Sequence, residues 1–69
     1  MSERLSNTLR AHRQERGWTQ GQLADAVGVS RKTINTVEND IFIPSTLLAL
    51  KLARALEQRV EDIFMLEPL

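Results

Sequence analysis

Four polar side chains that can form hydrogen bonds lie close together on one predicted helix near the middle of the chain. They would point outward, because the apolar residues of the same segment, Ile34 and Val37, are spaced to face a core. A cationic pair at the start of this helix is slightly unfavourable, since a helix N-terminus carries partial positive charge. That penalty indicates a negatively charged binding partner, although the pair is also compatible with a solvated helix start. The four outward residues are Arg31, Lys32, Asn35 and Thr36.

Other residue types that perform chemistry do not form a cluster. His12 is the only histidine and there is no cysteine, so the sequence lacks a second ligand of this kind for a metal site and cannot form a disulfide. The adjacent acids Glu61 and Asp62 would diverge by about 100° on a helix and could not converge on a substrate. We therefore expect no enzyme activity, no catalytic residue, no metal and no cofactor.

Charge is unevenly distributed along the chain. The 69 residues have no net charge, but residues 1–32 hold six basic side chains against three acidic ones, and residues 33–69 hold the reverse. Because lysine and arginine drive phosphate binding, a zero net charge argues against a nucleic-acid partner, whereas the basic first half allows one face to approach a polyanion. Chance would explain the same split, so the charge pattern alone does not decide whether the protein binds a nucleic acid.

Local signals predict a series of short helices. The first would span residues 7–16 and end at Gly17, which can adopt the left-handed backbone of a helix terminus. The second would begin with a capping box at Thr19 and end at Gly28. The third would follow Ser30, a residue type that caps helix N-termini well.

The second half of the chain continues this pattern. A loop over residues 39–44 leads to a fourth helix capped by Ser45, in which leucines recur at four-residue spacing, and a short fifth helix over residues 60–64 would close the bundle. No apolar run approaches the roughly 20 residues that cross a bilayer, and the N-terminus lacks the charged-then-apolar order of a secretion signal. We therefore expect a cytoplasmic protein with no membrane partner.

The tail, residues 64–69, is unusually apolar. Its side chains cannot all point into so small a bundle, and an exposed apolar patch on a soluble domain indicates an interface. If residues 64–67 run extended, they could pair with residues 1–5, and Pro68 would end the strand because it cannot donate a ladder hydrogen bond. The apolar loop Ile41-Phe42-Ile43 is the alternative dimer surface, unless it caps the core. The predicted dimer residues in the tail are Phe64, Met65 and Leu66, with Leu69 beside them.

A specific set of residues accompanies the predicted second and third helices. It consists of Thr19-Gln20-Gly21-Gln22-Leu23-Ala24, Val27-Gly28-Val29-Ser30, Thr33-Ile34, Glu38-Asn39 and Pro44-Ser45. In these residues the sequence resembles the Cro/C1-type, or XRE, family of helix-turn-helix regulators, with the motif over residues 19–38 and the likeness over about residues 5–64. The resemblance implies an all-α fold class: a five-helix bundle of the lambda-repressor-like DNA-binding type, in one domain over residues 1–69. A short terminal strand pair would be added if the tail runs extended.

The resemblance also implies roles for individual residues. The start of the third helix would enter the major groove, where Arg31 could bond two acceptors of one guanine. Gln20, at the start of the second helix, would hold a phosphate together with the backbone N–H groups exposed there. Base contacts are implied for Arg31, Lys32, Asn35 and Thr36, and phosphate contacts for Gln20, Thr33 and Asn39.

Members of this family commonly link an arginine of the first helix to the glutamate that ends the recognition helix. The matching residues are Arg13 and Glu38, and if both are inside they should be paired, because a lone buried charge is costly. The alternative is that both lie in solvent at the rim. Asp40 departs from the family pattern, in which glycine often follows the Glu-Asn pair, and it places an acid near the expected phosphate path.

As a whole, the resemblance implies sequence-specific binding of double-stranded DNA and regulation of transcription. Repression would be carried out by a homodimer on an inverted-repeat operator. No signature of a small-molecule pocket is present, so no such ligand is expected. The alternative function is a protein-interaction module, such as the antitoxin of a toxin–antitoxin pair, with the apolar loop and the tail as its binding surface.

Overall fold

The computed structural model describes residues 2–68, which form five short helices and one two-stranded antiparallel sheet. The strands lie at the two ends of this range, and the helices lie between them in the sequence. None of the helices in this range is long and apolar enough to cross a membrane. In chain order the elements are β1 (Glu3–Asn7), α1 (Leu9–Glu15), α2 (Gln20–Val27), α3 (Arg31–Glu38), α4 (Thr46–Ala55), α5 (Val60–Ile63) and β2 (Phe64–Pro68).

Side-chain caps begin α2, α3 and α4 at the residues that the sequence predicted. The Thr19 hydroxyl accepts from the backbone N–H of Gln22, and the Gln22 side chain accepts in return from the backbone N–H of Thr19. Ser30 and Ser45 each accept a backbone N–H three residues further on. Gly28 ends α2 with a φ of +75°, in the left-handed region where glycine has no steric penalty.

One hydrophobic core joins all five helices. Its residues recur at three- or four-residue spacing within the longer helices, as expected for helices that pack on one face. Each helix contributes at least one side chain that is fully buried, and each such side chain contributes roughly 1.5–3 kcal/mol through removal from water. The largest fully buried side chains are Leu9, Leu23, Ile34, Val37, Leu52 and Ile63.

The beginning of the chain differs from the prediction. The first helix begins at Leu9 instead of residue 7, because residues 3–7 are extended and pair with the tail. Asn7 ends β1, and its Oδ1 accepts from the backbone N–H of Leu9. The backbone N–H of Thr8 donates to the carbonyl of Ile63 at 2.9 Å, which joins the start of α1 to the end of α5. The fold class is therefore mostly helical with a small sheet, and not strictly all-α.

The terminal strand pair that the sequence allowed is present, with a shifted extent. The described pairing covers residues 3–7, whereas the sequence suggested residues 1–5, and it places Leu5 opposite Leu66. Strand β2 extends to Pro68, one residue beyond the segment 64–67 that the sequence suggested would run extended. Two residues that the sequence analysis assigned to this region, Met1 and Leu69, lie outside the described residues.

Apolar side chains at the surface form two groups. On the sheet, Leu66 is exposed, whereas Met65 is half-buried and Phe64 packs against the core. The second group begins in the loop before α4, where Ile41 and Ile43 have 75% and 73% of their surface exposed, so these two residues do not cap the core. We call this second group the loop patch; it consists of Ile41, Phe42, Ile43, Leu47 and Leu50.

Candidate nucleic-acid interface

Helices α2 and α3 are joined by a tight turn. The turn consists of Gly28-Val29-Ser30, and the backbone N–H of Val29 donates to the carbonyl of Ala24 at 3.0 Å. So short a connection makes two helices cross sharply instead of lying side by side, which is the geometry of a helix-turn-helix. The first two residues of α3, Arg31 and Lys32, are exposed.

A buried carboxylate organises the polar side of α3. The side chain of Glu38 has no exposed surface, and its Oε2 accepts from Arg13 Nε at 2.6 Å. Its Oε1 accepts from Arg13 Nη2 at 3.2 Å, from Gln20 Nε2 at 3.1 Å and from Arg10 Nε at 3.3 Å. Arg13 is almost as deeply buried and also donates to the carbonyl of Trp18 at 2.8 Å. The buried charge is therefore both paired and hydrogen-bonded from several sides.

These partners determine the protonation of Glu38. Burial raises the pKa of the carboxyl group, because its charged form loses contact with water. Hydrogen bonds from Arg13, Gln20 and Arg10, together with the positive charge of Arg13, outweigh burial and hold the pKa below its ordinary value. Glu38 is therefore ionised at neutral pH, and in that state it can only accept hydrogen bonds.

A chain of hydrogen bonds connects this carboxylate to the surface. Gln20 Nε2 donates to Asn35 Oδ1 at 3.2 Å, and Gln20 Oε1 accepts from Arg31 Nη1 at 3.1 Å. Asn39 Nδ2 donates to Asn35 Oδ1 at 3.1 Å and to the Asn35 backbone carbonyl at 2.8 Å. Four of the residues with predicted DNA contacts are thereby brought together. We call the connected set the Glu38 network; it consists of Arg10, Arg13, Gln20, Arg31, Asn35, Glu38 and Asn39.

The other three predicted contact residues lie on a neighbouring flank of α3. Lys32 is exposed, and Thr33 and Thr36 are half-buried. The hydroxyl of Thr36 donates to the carbonyl of Thr33 at 2.9 Å, so it is engaged within the helix. With Ile41 and Phe42 these residues line a shallow groove of about 350 Å³. This flank is therefore more apolar than the one that carries the Glu38 network.

Arg10 is a surface residue that the sequence analysis did not single out. Its side chain is about half exposed, and besides Glu38 it contacts Asn39, whose Oδ1 accepts from Arg10 Nη2 at 3.0 Å. It therefore joins α1 to the end of α3 on the predicted binding side. A signal was present in the sequence: Arg10 lies three positions before Arg13, so both share one face of the first helix.

Asp40, where the sequence departs from the family pattern, accepts a hydrogen bond from Asn7 in the first strand. Its φ is +60°, in the left-handed region that favours glycine. Asn7 Nδ2 donates to Asp40 Oδ1 at 2.9 Å and to the carbonyl of Val37 at 3.0 Å. The hydrogen bond from Asn7 gives this acid a partner and fixes the backbone that leaves α3.

Comparison with known proteins identifies the family. A protein-family model described as Helix-turn-helix matches residues 9–63, a range that includes all five helices of the described structure. The chain belongs to the Cro/C1-type helix-turn-helix family. The resemblance found in the sequence is thereby confirmed, and it is a resemblance to DNA-binding regulators of transcription.

Relatives of this helix-turn-helix protein occur in distant organisms. An uncharacterised HTH-type transcriptional regulator of Methanothermobacter thermautotrophicus is 48% identical over 64 residues, which cover 91% of this chain and 93% of the relative. Antitoxin HipB of Escherichia coli is 36% identical over 53 residues, which cover 77% of this chain but only 56% of HipB. Among solved structures, the restriction-modification controller protein C.AhdI from Aeromonas hydrophila has a TM-score of 0.75 at 33% identity, covering 78% of this chain and 82% of C.AhdI.

Proposed function

We propose that this helix-turn-helix protein reads the sequence of double-stranded DNA with α3 and represses transcription as a homodimer on an inverted-repeat operator. The observation that carries the proposal is the surface on which Arg31, Gln20, Asn35 and Asn39 are joined by hydrogen bonds. An α-helix fits the major groove of B-form DNA, where arginine matches the edge of guanine and asparagine matches the edge of adenine. Membership in a family of DNA-binding regulators supports the same function.

The proposed contacts fall into two classes. Contacts near the start of α3 read base edges, with Arg31 on a guanine and Asn35, one turn further on, on an adenine. Contacts to phosphates set the register of the protein on the duplex without reading its sequence, and Arg10 adds a positive charge beside Asn39 for this purpose. The proposed base contacts are Arg31, Lys32, Asn35 and Thr36, and the proposed phosphate contacts are Gln20, Thr33, Asn39 and Arg10.

Selection of bound sequences from a pool of random DNA duplexes tests this function. We expect enrichment of an inverted repeat whose half-sites lie one helical turn apart, because two recognition helices related by a dyad would be about 34 Å apart. A gel shift of the enriched duplex, with excess unrelated duplex as competitor, then measures specificity. Enrichment of a single half-site would contradict the homodimer, and no enrichment would contradict sequence-specific binding.

Two apolar surfaces are candidates for the homodimer interface. The sequence assigns it to the tail residues Phe64, Met65 and Leu66, of which Leu66 is the most exposed. Within residues 2–68, the loop patch exposes more large apolar side chains than the tail does. Because Phe64 packs against the core, deletion of the tail would also weaken the fold, so single substitutions are the better test.

Leu66→Lys and Ile43→Lys each place a charge in one of these surfaces. If the tail forms the interface, Leu66→Lys should sediment as a monomer while Ile43→Lys stays dimeric. The opposite result would move the interface to the loop patch. A wild-type chain that sediments as a monomer at micromolar concentration would contradict the homodimer itself.

A second candidate function is that of an antitoxin-like interaction module. The exposed loop patch favours it, as does the similarity to HipB, whose name describes an antitoxin. In this case the loop patch would bind a partner protein, and DNA binding would be secondary. A chain that is folded by circular dichroism but enriches no sequence from the random pool would favour this candidate over the repressor.

A further inference from the structure

Asp40 is an exposed acid that follows directly after Asn39, a proposed phosphate contact. The other acid at this end of α3, Glu38, is buried and paired with arginine. Among the ion pairs of residues 2–68, none involves Asp40. A carboxylate without a cationic partner repels phosphate. The affinity for DNA should therefore depend on the direction in which the Asp40 side chain points.

One residue of the terminal sheet holds this side chain. Asn7 Nδ2 donates to Asp40 Oδ1 at 2.9 Å and to the carbonyl of Val37 at 3.0 Å. Asn7 Oδ1 accepts from the backbone N–H of Leu9 at 3.0 Å, so the NH₂ group of the amide is the part that faces the end of α3. Each N–H donor of this amide therefore has an acceptor, and the acid is one of the two.

We propose that Asn7 is a positioning residue that keeps the carboxylate of Asp40 directed toward β1 and away from the DNA backbone. This inference rests on the DNA binding of the proposed function, and it assigns no DNA contact to Asn7 itself. The side chain of aspartate has only a few staggered positions about its first torsion angle, and the hydrogen bond from Asn7 selects one of them. Without that bond, the carboxylate can turn toward the phosphates that Asn39 and Arg10 are proposed to contact.

Removing the charge of Asp40 separates two roles that Asn7 could have. If Asn7 acts by directing a carboxylate, its loss weakens DNA binding only while that carboxylate is present. If Asn7 instead supports the backbone at the end of α3, through the carbonyl of Val37, its loss weakens binding with or without the charge. Two residues that act through one interaction are not additive, so a double-mutant cycle distinguishes the two roles.

Asn7→Leu tests the inference, because leucine has a similar shape but a side chain that cannot form hydrogen bonds. Asp40→Asn removes the charge and still offers Asn7 an acceptor. Ser6→Ala is the matched control, since Ser6 is the neighbouring residue of β1 and donates to another acid, Glu67, at 3.0 Å. The three variants and the double variant of Asn7→Leu with Asp40→Asn are titrated with the enriched duplex and an unrelated duplex at two salt concentrations.

Circular dichroism checks that each variant is folded at the temperature of the titration. If Asn7→Leu is not folded, Asn7→Ser replaces it. Serine can still accept from the backbone N–H of Leu9, as short polar side chains do, but it is too short to reach Asp40.

We expect Asn7→Leu to lower the affinity for both duplexes by about 2- to 5-fold, the size of one exposed charge interaction, because phosphates are the same at every base pair. The loss should shrink at the higher salt concentration, since salt screens exposed charges. Asp40→Asn should change the affinity little in the wild-type background and restore it in the Asn7→Leu background. Ser6→Ala should leave the affinity for both duplexes unchanged.

A loss that persists in the double variant, or that does not shrink with salt, would overturn the positioning role in favour of backbone support. An equal gain from Asp40→Asn in both backgrounds, or no effect of Asn7→Leu, would also overturn it. Because every duplex has phosphates, the cycle can be measured on the unrelated duplex even if the random pool yields no enriched sequence. Failure of sequence-specific binding is therefore distinguishable from failure of this inference, and a wild-type chain that binds no duplex would contradict both.

Discussion

Glu38 and Ile43 lie five positions apart in the sequence and occupy opposite environments. The side chain of the glutamate has no exposed surface, whereas 73% of the isoleucine is exposed. In most proteins glutamate is among the residues least often buried and isoleucine is among those most often buried. Near the end of α3, a charged side chain is therefore buried in the Glu38 network, while apolar side chains are exposed in the loop patch. This is the reverse of the usual distribution.

The two regions differ in whether their side chains are stabilised by contacts within the chain. Within residues 2–68, every buried side-chain nitrogen or oxygen has a hydrogen-bond partner, so the charge at Glu38 is compensated inside the chain. The loop patch keeps large apolar surface in water, which is unfavourable, and this is the reason to propose that it binds another chain. We infer that the network prepares a binding surface in the free protein, whereas the loop patch is one of two candidate surfaces for a second chain.

The largest expected effect comes from removing the centre of the network. Glu38→Ala leaves Arg13 buried without its carboxylate, and loss of one member of a buried pair costs about 3–5 kcal/mol in the free energy of unfolding. Urea denaturation measures this loss. Glu57→Ala is the control, because Glu57 forms an ion pair of 2.8 Å with Arg16 at the surface, and exposed pairs contribute about 0–1 kcal/mol. Equal effects of the two substitutions would contradict the structural importance of burial.

The protonation of Glu38 predicts how its contribution to the free energy of unfolding depends on pH. Its pKa is lower in the folded chain than its ordinary value of 4.5, so the ionised carboxylate contributes its full stability above that value. The contribution is lost as the pH falls below it and through the lowered folded pKa. We therefore expect the gap in free energy of unfolding between wild type and Glu38→Gln to be constant near neutral pH and to shrink in acid. A gap that widened with acidity would contradict the direction of the shift.

The next effect concerns binding, at the outer end of the network. Arg31→Ala should weaken binding to the enriched duplex by about 1–3 kcal/mol and relax the preference at one base pair. Fluorescence anisotropy titrations of the enriched and unrelated duplexes measure both quantities. Arg59→Ala, at an exposed arginine before α5, should leave the preference unchanged. If Arg31→Ala reduces affinity for both duplexes equally, Arg31 contacts phosphate and does not read a base.

A smaller effect is expected where the backbone itself is unfavourable. Asp40 and Glu57 have φ values of +60° and +55°, and a non-glycine residue in this region is strained. Glu57→Gly should raise the free energy of unfolding by up to about 1 kcal/mol, because it loses only an exposed ion pair. Asp40→Gly should gain less, since it also removes the hydrogen bond from Asn7. Thermal denaturation compares the two, and a larger gain at Asp40 would show that the bond to Asn7 contributes little.

The smallest effect is expected in the loop patch, despite its apolar side chains. Ile41→Ser and Ile43→Ser should each change the free energy of unfolding of the monomer by no more than about 0.5 kcal/mol, as exposed substitutions do. The conservative change Ile34→Val in the core should cost about 0.5–1.5 kcal/mol by comparison. Urea denaturation at low protein concentration measures all three. A greater loss from the serine variants would mean that the loop packs against its own chain.

The helix boundaries that depend on neighbouring residues were predictable. Thr19, Ser30 and Ser45 act as caps through bonds to backbone groups three residues away, so the relevant information lies within one helical turn. The first strand was predicted only in part, because the sequence allowed the pairing but did not give its extent. Residues 3–7 pair with a segment about sixty residues away, and this pairing displaces the start of the first helix from residue 7 to Leu9.

The candidate site shows a similar division. The pair of Arg13 and Glu38 was expected only from the family resemblance, because no periodicity within one helix relates the two residues. The partners Arg10 and Gln20 come from α1 and α2, and their hydrogen bonds to Glu38 depend on how these helices cross α3. Contacts between three helices depend on packing geometry that the spacing of residues within each helix does not give.

The pairing of β1 with β2 has a consequence for the order in which the protein matures. Glu3 pairs with Pro68, so the first strand has no partner during synthesis until residues 64–68 have left the ribosome. Contacts between helices that are close in sequence form sooner, because they close shorter loops. Asn7 belongs to β1 and also holds the carbonyl of Val37 and the carboxylate of Asp40. We therefore expect the backbone that leaves α3 to take its final orientation late in folding, only after β2 has paired with β1.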